Sequence, residues 1–114
     1  MKLLDLYNIL QKVDIPVYHY ETELQAFPYI IYQELSTSYT WASGKVKDEL
    51  TPVVAVHFSK TEFDPTVEKL KEVLLEHKIG HTINIDYDPA TKVIVNEFMM
   101  TIKDEKRLKH EKNY

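Results

Sequence analysis

The chain of 114 residues contains no cysteine and only two glycines, Gly44 and Gly80. Without cysteine there is no disulfide, no thiolate zinc site and no cysteine nucleophile. Two glycines are too few for the glycine-rich loops that bind phosphate groups and dinucleotides, and no serine lies in a Gly-x-Ser-x-Gly turn. These absences exclude the common nucleotide-binding motifs and the nucleophile elbow of hydrolases.

Long apolar runs and an excess of positive charge are also lacking. No segment approaches the roughly 20 apolar residues that cross a bilayer. Asp5 and Asn8 interrupt the apolar N-terminus, so we expect neither a signal peptide nor a membrane partner. Residues 1–102 carry nine lysines and fifteen acidic residues, a balance that argues against wrapping nucleic acid. Residues 103–114 carry five basic and three acidic residues. We therefore predict a single domain over residues 1–103 and a flexible basic tail over residues 104–114.

The remaining sequence has the composition and periodicity of one folded domain. Apolar residues recur at helical spacing over residues 2–13, and Asp64-Pro65 begins a second helix that we expect to end with Gly80 in a left-handed conformation. Strands are predicted at residues 17–20, 27–35, 52–60, 81–87 and 92–103. The order α-β-β-β-α-β-β predicts an α+β fold, in which two helices pack on one face of a mostly antiparallel sheet.

Several of these strands are apolar on both faces. In the second strand Ile30 and Tyr32 oppose Ile31, and in the third Val53 and Ala55 oppose Val56. Two helices on one face leave the second face bare, although a sheet face exposed to water normally carries polar residues. Either the long polar segment at residues 36–50 folds back over it or a neighbouring subunit covers it, and we favour the subunit.

Candidate catalytic and metal sites are sparse. His77 and His81 are four residues apart, but Gly80 intervenes and predicts that the pair splits between a helix and a strand. His19 and His57 lie on separate strands and could meet across the sheet. We predict no metal, no cofactor and no enzymatic activity. The alternative is an enzyme that uses His57, or His19 with Glu34.

Residues 36–50 contain the one candidate binding cluster. They combine two aromatic and two basic side chains in a polar segment that can extend the flanking strands as a long hairpin. We predict a protein-interaction loop formed by Tyr39, Trp41, Lys45 and Lys47. The alternative is a hairpin tip without a binding role.

The ordered pattern resembles the small tail-completion proteins of long-tailed phages and prophages, of the tail-terminator type. It is carried by the first helix before Ile15-Pro16-Val17-Tyr18, the strand Pro28-Tyr29-Ile30-Ile31-Tyr32, the strand at residues 54–60, the step Phe63-Asp64-Pro65 and the closing strand Phe98-Met99-Met100-Thr101-Ile102. Many family members have an Asp- and Asn-rich segment in the long loop, where this chain has residues 39–45.

This resemblance implies a ring, typically a hexamer, in the virion tail. The ring would be assembled in the cytoplasm of a bacterial host and would complete the head-proximal end of the tail and join it to the head. Its partners would be further copies of the chain, the tail-tube protein and the head connector proteins, and DNA would pass through the bore without specific binding. The alternatives are a head-closure or adaptor protein of the connector, or a small adaptor module that binds one protein through a sheet edge.

Overall fold

A computed structural model describes residues 1–23 and 26–105. In these ranges the chain forms α1 (Leu3–Leu10, continued by a 3-10 turn at Gln11–Val13), β1 (Val17–His19), β2 (Tyr29–Glu34), β3 (Ser38–Ala42), β4 (Lys45–Ser59), α2 (Pro65–Glu76), β5 (His81–Asp88) and β6 (Val93–Glu105). The predicted α+β class with a mostly antiparallel sheet and two helices is confirmed. The order contains one further strand, β3, which forms within the predicted loop at residues 36–50.

The six strands form one sheet. Five of them are neighbours in the order β1-β2-β4-β6-β5, and β3 pairs with β4 outside this order. Only β1 and β2 pair in parallel, among the strands of the described ranges. Both β2 and β3 pair with β4: Tyr29 lies opposite Phe58, and Ser38 lies opposite Leu50. β2 and β3 therefore follow one another along the same edge of β4.

The start of α2 matches its sequence signal, and its end does not. The Asp64 side chain accepts a hydrogen bond from the Thr66 amide at 2.9 Å, and Pro65 is the first helical residue. The prediction that Gly80 adopts the left-handed conformation is wrong, because Lys78 does so with a φ of 60°. The Ile79 amide then donates to the Leu74 carbonyl at 2.8 Å, as in a Schellman motif.

The hydrophobic core lies between the two helices and one face of the sheet. The helices contribute fully buried leucines such as Leu6 and Leu70, and the sheet contributes Ile30, Val53 and Phe98. The other buried members of this cluster are Ile9, Leu10, Val13, Tyr32, Ala55, Val73, Leu74, Ile79, Met100 and Ile102. Both helices thus cover the same face of the sheet, as predicted.

The second face of the sheet carries apolar side chains that retain partial exposure. The open face comprises seven apolar residues, Tyr29, Ile31, Val54, Val56, Phe58, Val95 and Met99, together with Gln33 and Glu97. They alternate with the buried residues along β2, β4 and β6. Neither helix contributes a residue to it, because the buried residues of both belong to the core cluster. The predicted apolar character of both faces is therefore present in the fold.

A hairpin arm, residues 38–50, extends the sheet beyond its helix-covered part. Its two-residue turn at Ser43-Gly44 has φ angles of 53° and 75°, which is typical of the type I′ turn that closes hairpins. The Cα atoms span 58 × 24 × 24 Å along the principal axes, so the molecule is elongated. The predicted hairpin is present, but only the following strand is extended into it, as β4; β2 ends at Glu34 and β3 is a separate strand.

The C-terminal boundary lies two residues later than predicted. Asp104 and Glu105 belong to β6 and pair with β4, so they are part of the sheet and not of a tail. Residues 106–114, which hold the rest of the predicted basic tail, lie outside the described residues. Within the described ranges, neither helix is long and apolar enough to cross a bilayer.

Candidate protein-interaction surfaces

The arm carries all four residues of the predicted interaction loop. Tyr39 and Trp41 are two residues apart on β3, so their side chains lie on the same face; they are 51% and 66% exposed. Lys47 is the extra residue of a β-bulge, and Lys45 lies opposite Ala42 at the turn. Because Ala42 follows Trp41 on the strand, Lys45 points to the opposite face. The structure thus brings the two aromatic residues together and presents them to solvent.

The register of the arm is held by Thr40 and Asp48. The Thr40 hydroxyl donates to an Asp48 carboxylate oxygen at 3.2 Å and accepts from the Asp48 amide at 3.1 Å. Asp48 is only 6% exposed, so this pair is shielded beside the bulge. The pairing fixes the strand positions that display Tyr39 and Trp41. The sequence prediction missed Asp48, because an acidic residue in a polar segment gives no sign of burial.

The open face has an aromatic cluster at one end. Tyr29 stacks on Phe58 with ring centroids 4.9 Å apart, and Phe27 packs on Tyr29 at 5.4 Å. The Lys60 ammonium lies 5.2 Å from the centroid of the Phe27 ring, within the range of a cation–π contact. Tyrosine and phenylalanine are enriched at protein interfaces. This end of the open face therefore has the composition of a contact surface.

A groove lies at the opposite end of the molecule from the arm tip, between the start of α2 and the β5–β6 hairpin. This end groove has a volume of about 370 Å³. Its most exposed apolar lining residues are Phe63 and Ile85, at 94% and 71% exposure. Phe63 has a φ of 55°, a left-handed conformation that is costly for a side chain of this size. The groove combines segments that are distant in sequence, and sequence analysis did not find it.

A buried polar network lies behind this groove. The Ser59 and Thr66 hydroxyls each donate to Asp64 at 2.7 Å, and His57 Nε2 lies 2.6 Å from Thr66 Oγ1. Because Thr66 donates its proton to Asp64, His57 must donate from Nε2. The serine contacts the aspartate and not the histidine, so the geometry is not that of a nucleophilic triad. The network caps α2.

Burial sets the charge state of His57, and hydrogen bonds set that of Asp64. It lowers the pKa of His57 below its ordinary value, and the nearby Asp64 carboxylate offsets only part of that effect. Burial would raise the pKa of Asp64, but hydrogen bonds from Ser59 and Thr66 outweigh it and lower that pKa. A neutral imidazole therefore lies near an ionised carboxylate. His57 Nδ1 is buried without a hydrogen-bond partner.

The second histidine of the enzyme alternative lies on the first strand. His19 Nε2 is 2.8 Å from Glu34 Oε1, and the imidazole stacks on Tyr20 at 3.8 Å and on Tyr32 at 4.7 Å between ring centroids. Partial burial would raise the pKa of Glu34, but hydrogen bonds from His19 and Tyr20 and from its own backbone lower it. An ionised Glu34 suits an acceptor in an aromatic cluster better than a general acid.

The histidine pairs considered in the sequence do not form a metal site. His19 and His57 do not meet, because β2 separates their strands. The prediction that His77 and His81 split between helix and strand is confirmed: His77 contacts Lys12 Nζ at 2.9 Å, and His81 contacts the Ile79 carbonyl at 3.1 Å. Across residues 1–23 and 26–105, no group of three His, Asp or Glu residues is placed to hold a metal ion.

Comparison with known proteins gives no match to a protein-family model and none to an individual curated protein. Three surfaces of the described residues are candidates for a binding role: the arm with Tyr39 and Trp41, the open face of the sheet, and the end groove with Phe63. Each presents apolar side chains to solvent, and none combines a nucleophile, a base and an orienting group.

Proposed function

We propose that the protein is a structural assembly protein that associates with further copies of itself through the open face. Specifically, it forms a ring at the head-proximal end of a phage tail, completes the tail and mediates head–tail joining. The observation that carries the proposal is the open face, an apolar sheet surface that neither helix covers. The ring and its place in the virion rest on the resemblance to tail terminators.

Burial of the apolar side chains of the open face would favour self-association. Burial of apolar surface contributes roughly 25 cal/mol per Å², and stable interfaces typically bury about 1,600 Å² in total. Ile31 lies opposite Val56, and Val54 is two residues along β4 on the same face; all three retain solvent contact. A second copy that packs on these side chains removes the remaining apolar surface from water.

The arm and the net charge fit the same role. The arm extends beyond the helix-covered part of the sheet and presents Tyr39 and Trp41 where a tail-tube subunit, a connector subunit or a neighbouring copy could contact them. The chain carries a net charge of −4. A bore lined by a negatively charged protein repels DNA and lets it pass without specific binding.

A lysine at the centre of the open face tests the proposal. We expect the wild-type chain to form a discrete, concentration-dependent oligomer in sedimentation-velocity experiments and rings in negative-stain electron microscopy. Val56→Lys should be monomeric, because the lysine lies opposite Glu97 on β6 and burial of both charges in the interface carries a desolvation penalty of several kcal/mol per ion. Leu75→Lys is the matched control: Leu75 is 61% exposed on α2, away from the open face, and its variant should assemble like the wild type.

Tail tubes and connectors provide the second part of the test, because a ring can require its partner in order to assemble. We expect the wild-type chain and Leu75→Lys to bind purified tail tubes, and Val56→Lys to bind them weakly or not at all. Circular dichroism of the three chains checks that each is folded. A folded wild-type chain that stays monomeric and binds neither tubes nor connectors contradicts the proposal.

The alternative function, an adaptor that binds one protein through a sheet edge, is favoured by β5. This eight-residue strand pairs only with β6 in the described part of the chain, so its outer edge is open. A partner strand could add to it by main-chain hydrogen bonds. This function predicts a monomer with one partner at simple stoichiometry, and its binding should be indifferent to Val56→Lys.

A further inference from the structure

We infer that the arm tip of one copy docks in the end groove of the next copy, so that copies join head to tail. This inference rests on the proposed self-association and names a contact that would hold neighbouring copies together. Its occupant is a second copy of this chain, and its anchor is Trp41, the only tryptophan in the sequence.

The positions of tip and groove require two copies. β4 runs from Lys45 beside the turn to Ser59, which lines the groove. Fifteen residues of strand extend roughly 50 Å at about 3.3 Å per residue. The arm of a chain therefore cannot reach the groove of the same chain. A contact between two different surfaces is heterologous, and repetition of such a contact gives either a closed ring or a filament.

The two surfaces have matching apolar anchors. The tip presents Trp41 and Tyr39 at 66% and 51% exposure, and the groove presents Phe63 and Ile85 at 94% and 71%. The groove volume of about 370 Å³ is in the range of pockets that hold a large side chain or a small ligand. Tryptophan and tyrosine are enriched among the residues that dominate interface energies.

Their charges are also complementary. Residues 38–47 contain Lys45 and Lys47 and no acidic residue. The groove lining contains Glu62, the buried Asp64, and Glu68, which pairs with the one lysine, Lys71, at 2.8 Å. Opposite charges at the rim of an interface accelerate association and fix its orientation. The two lysines near the turn therefore suit a groove whose lining carries more acidic than basic residues.

Tryptophan fluorescence tests the docking directly, because Trp41 is the only indole and lies at the tip. We expect its emission maximum to shift to shorter wavelength as the chain assembles, since docking removes the indole from water. The groove variant Phe63→Ala with Glu62→Lys should lose this shift. Leu75→Lys, whose substitution lies outside the tip and the groove, should retain it.

Engineered disulfides test the head-to-tail geometry, because the chain has no cysteine of its own. We expect a mixture of Ser43→Cys, at the tip, and Thr61→Cys, in the groove, to form a disulfide-linked heterodimer under mild oxidation. The matched mixture replaces Thr61→Cys with Ala90→Cys, which lies in the exposed β5–β6 turn outside the groove. It should form several-fold less heterodimer. A chain carrying both Ser43→Cys and Thr61→Cys should form a closed ring or a ladder.

The outcomes separate this inference from the proposed function. A chain that assembles with unchanged Trp41 emission and equal cross-linking in both mixtures overturns the docking and leaves association through the open face intact. A chain that shows neither assembly nor cross-linking, in solution or on tail tubes, overturns both. Preferential cross-linking of Ser43→Cys to Thr61→Cys together with the emission shift supports the docking.

Discussion

At the residue scale, six residues other than glycine adopt a left-handed backbone within the described ranges: Asp14, Tyr20, Ser43, Phe63, Lys78 and Lys92. Each lies where a helix or a strand ends or begins. The left-handed conformation costs an L-residue roughly 1–2 kcal/mol. Lys78 is the position where glycine would relieve this cost most simply, because it closes the Schellman motif of α2 and its side chain is exposed.

We predict that Lys78→Gly stabilises the protein by up to about 1 kcal/mol, because glycine adopts the left-handed conformation without a steric penalty. Urea unfolding measures the change. Lys69→Gly, at an exposed position inside α2, is the control and should destabilise by about 1 kcal/mol. A Lys78→Gly variant that unfolds at a lower urea concentration than the wild type would show that the motif does not strain Lys78.

The lowered pKa of His57 should make the free energy of unfolding depend on pH. Burial lowers its pKa in the folded state below its ordinary value of 6.5, so the unfolded chain binds a proton that the folded chain does not. The free energy of unfolding should therefore fall as pH drops below about 6.5. His57→Leu should lessen this loss between about pH 7.5 and about pH 5.5, measured by urea unfolding. Leu75→Ala, at an exposed apolar position of α2, is the control and should retain the wild-type slope. An equal slope in His57→Leu would contradict the assignment.

At the element scale, the start of α2 was predictable because its signal is local. Asp64 and Pro65 are adjacent in sequence and act on the first turn alone. Its end was not, because the sequence marks Gly80 while burial of Ile79 places the left-handed residue at Lys78. Here tertiary packing of one isoleucine overrides a glycine two residues later.

We predict that Asp64→Ala destabilises the protein by about 2 kcal/mol. Loss of a helix N-cap costs about 0.5–2 kcal/mol, and the Ser59 hydroxyl, which donates to Asp64 at 2.7 Å, loses its acceptor. Asp64→Asn is the matched control, because asparagine caps helices about as well as aspartate. Thermal unfolding followed by circular dichroism should rank wild type, Asp64→Asn and Asp64→Ala in decreasing stability. Equal stability of the last two would show that capping contributes little.

The arm shows which element the sequence left undetermined. Every residue of β3 except Thr40 is exposed, on both faces of the strand. The strand is held by its pairing with β4 and not by a buried face, so hydrophobic alternation could not predict it. The aromatic and basic character of the arm was visible in sequence, and the binding role of these residues stays a prediction. The end groove was not, because it exists only after β5 packs near the start of α2.

At the scale of the whole molecule, the sequence shows two apolar phases in several strands but not which phase joins which across the sheet. Phe98 lies on the helix-covered face, opposite Ala55, and Met99 lies on the open face, opposite Val54. A shift of one residue in the pairing of β6 would exchange these faces. The register was therefore settled by tertiary packing, and with it the identity of the open face.

The pairing of β4 predicts a gradient of amide hydrogen exchange along one strand. Residues 53–58 are flanked by β2 and β6 on both sides, whereas residues 45–47 pair only with β3 among the strands of the described ranges. Amides opened by local fraying exchange faster than those that require global unfolding. In Val56→Lys, our expected monomer, residues 53–58 should exchange slowest and the arm tip fastest by mass spectrometry.

Assembly should slow amide hydrogen exchange at the arm tip and in the end groove. If the tip docks on a neighbouring copy, exchange at residues 41–47 should slow in the wild-type oligomer, and the segment around Phe63 should slow with it. Leu75→Lys should follow the wild type, because Leu75 lies outside all three surfaces. Slow exchange confined to the strands of the open face would instead mean that copies meet through the sheet alone and that the arm serves another partner.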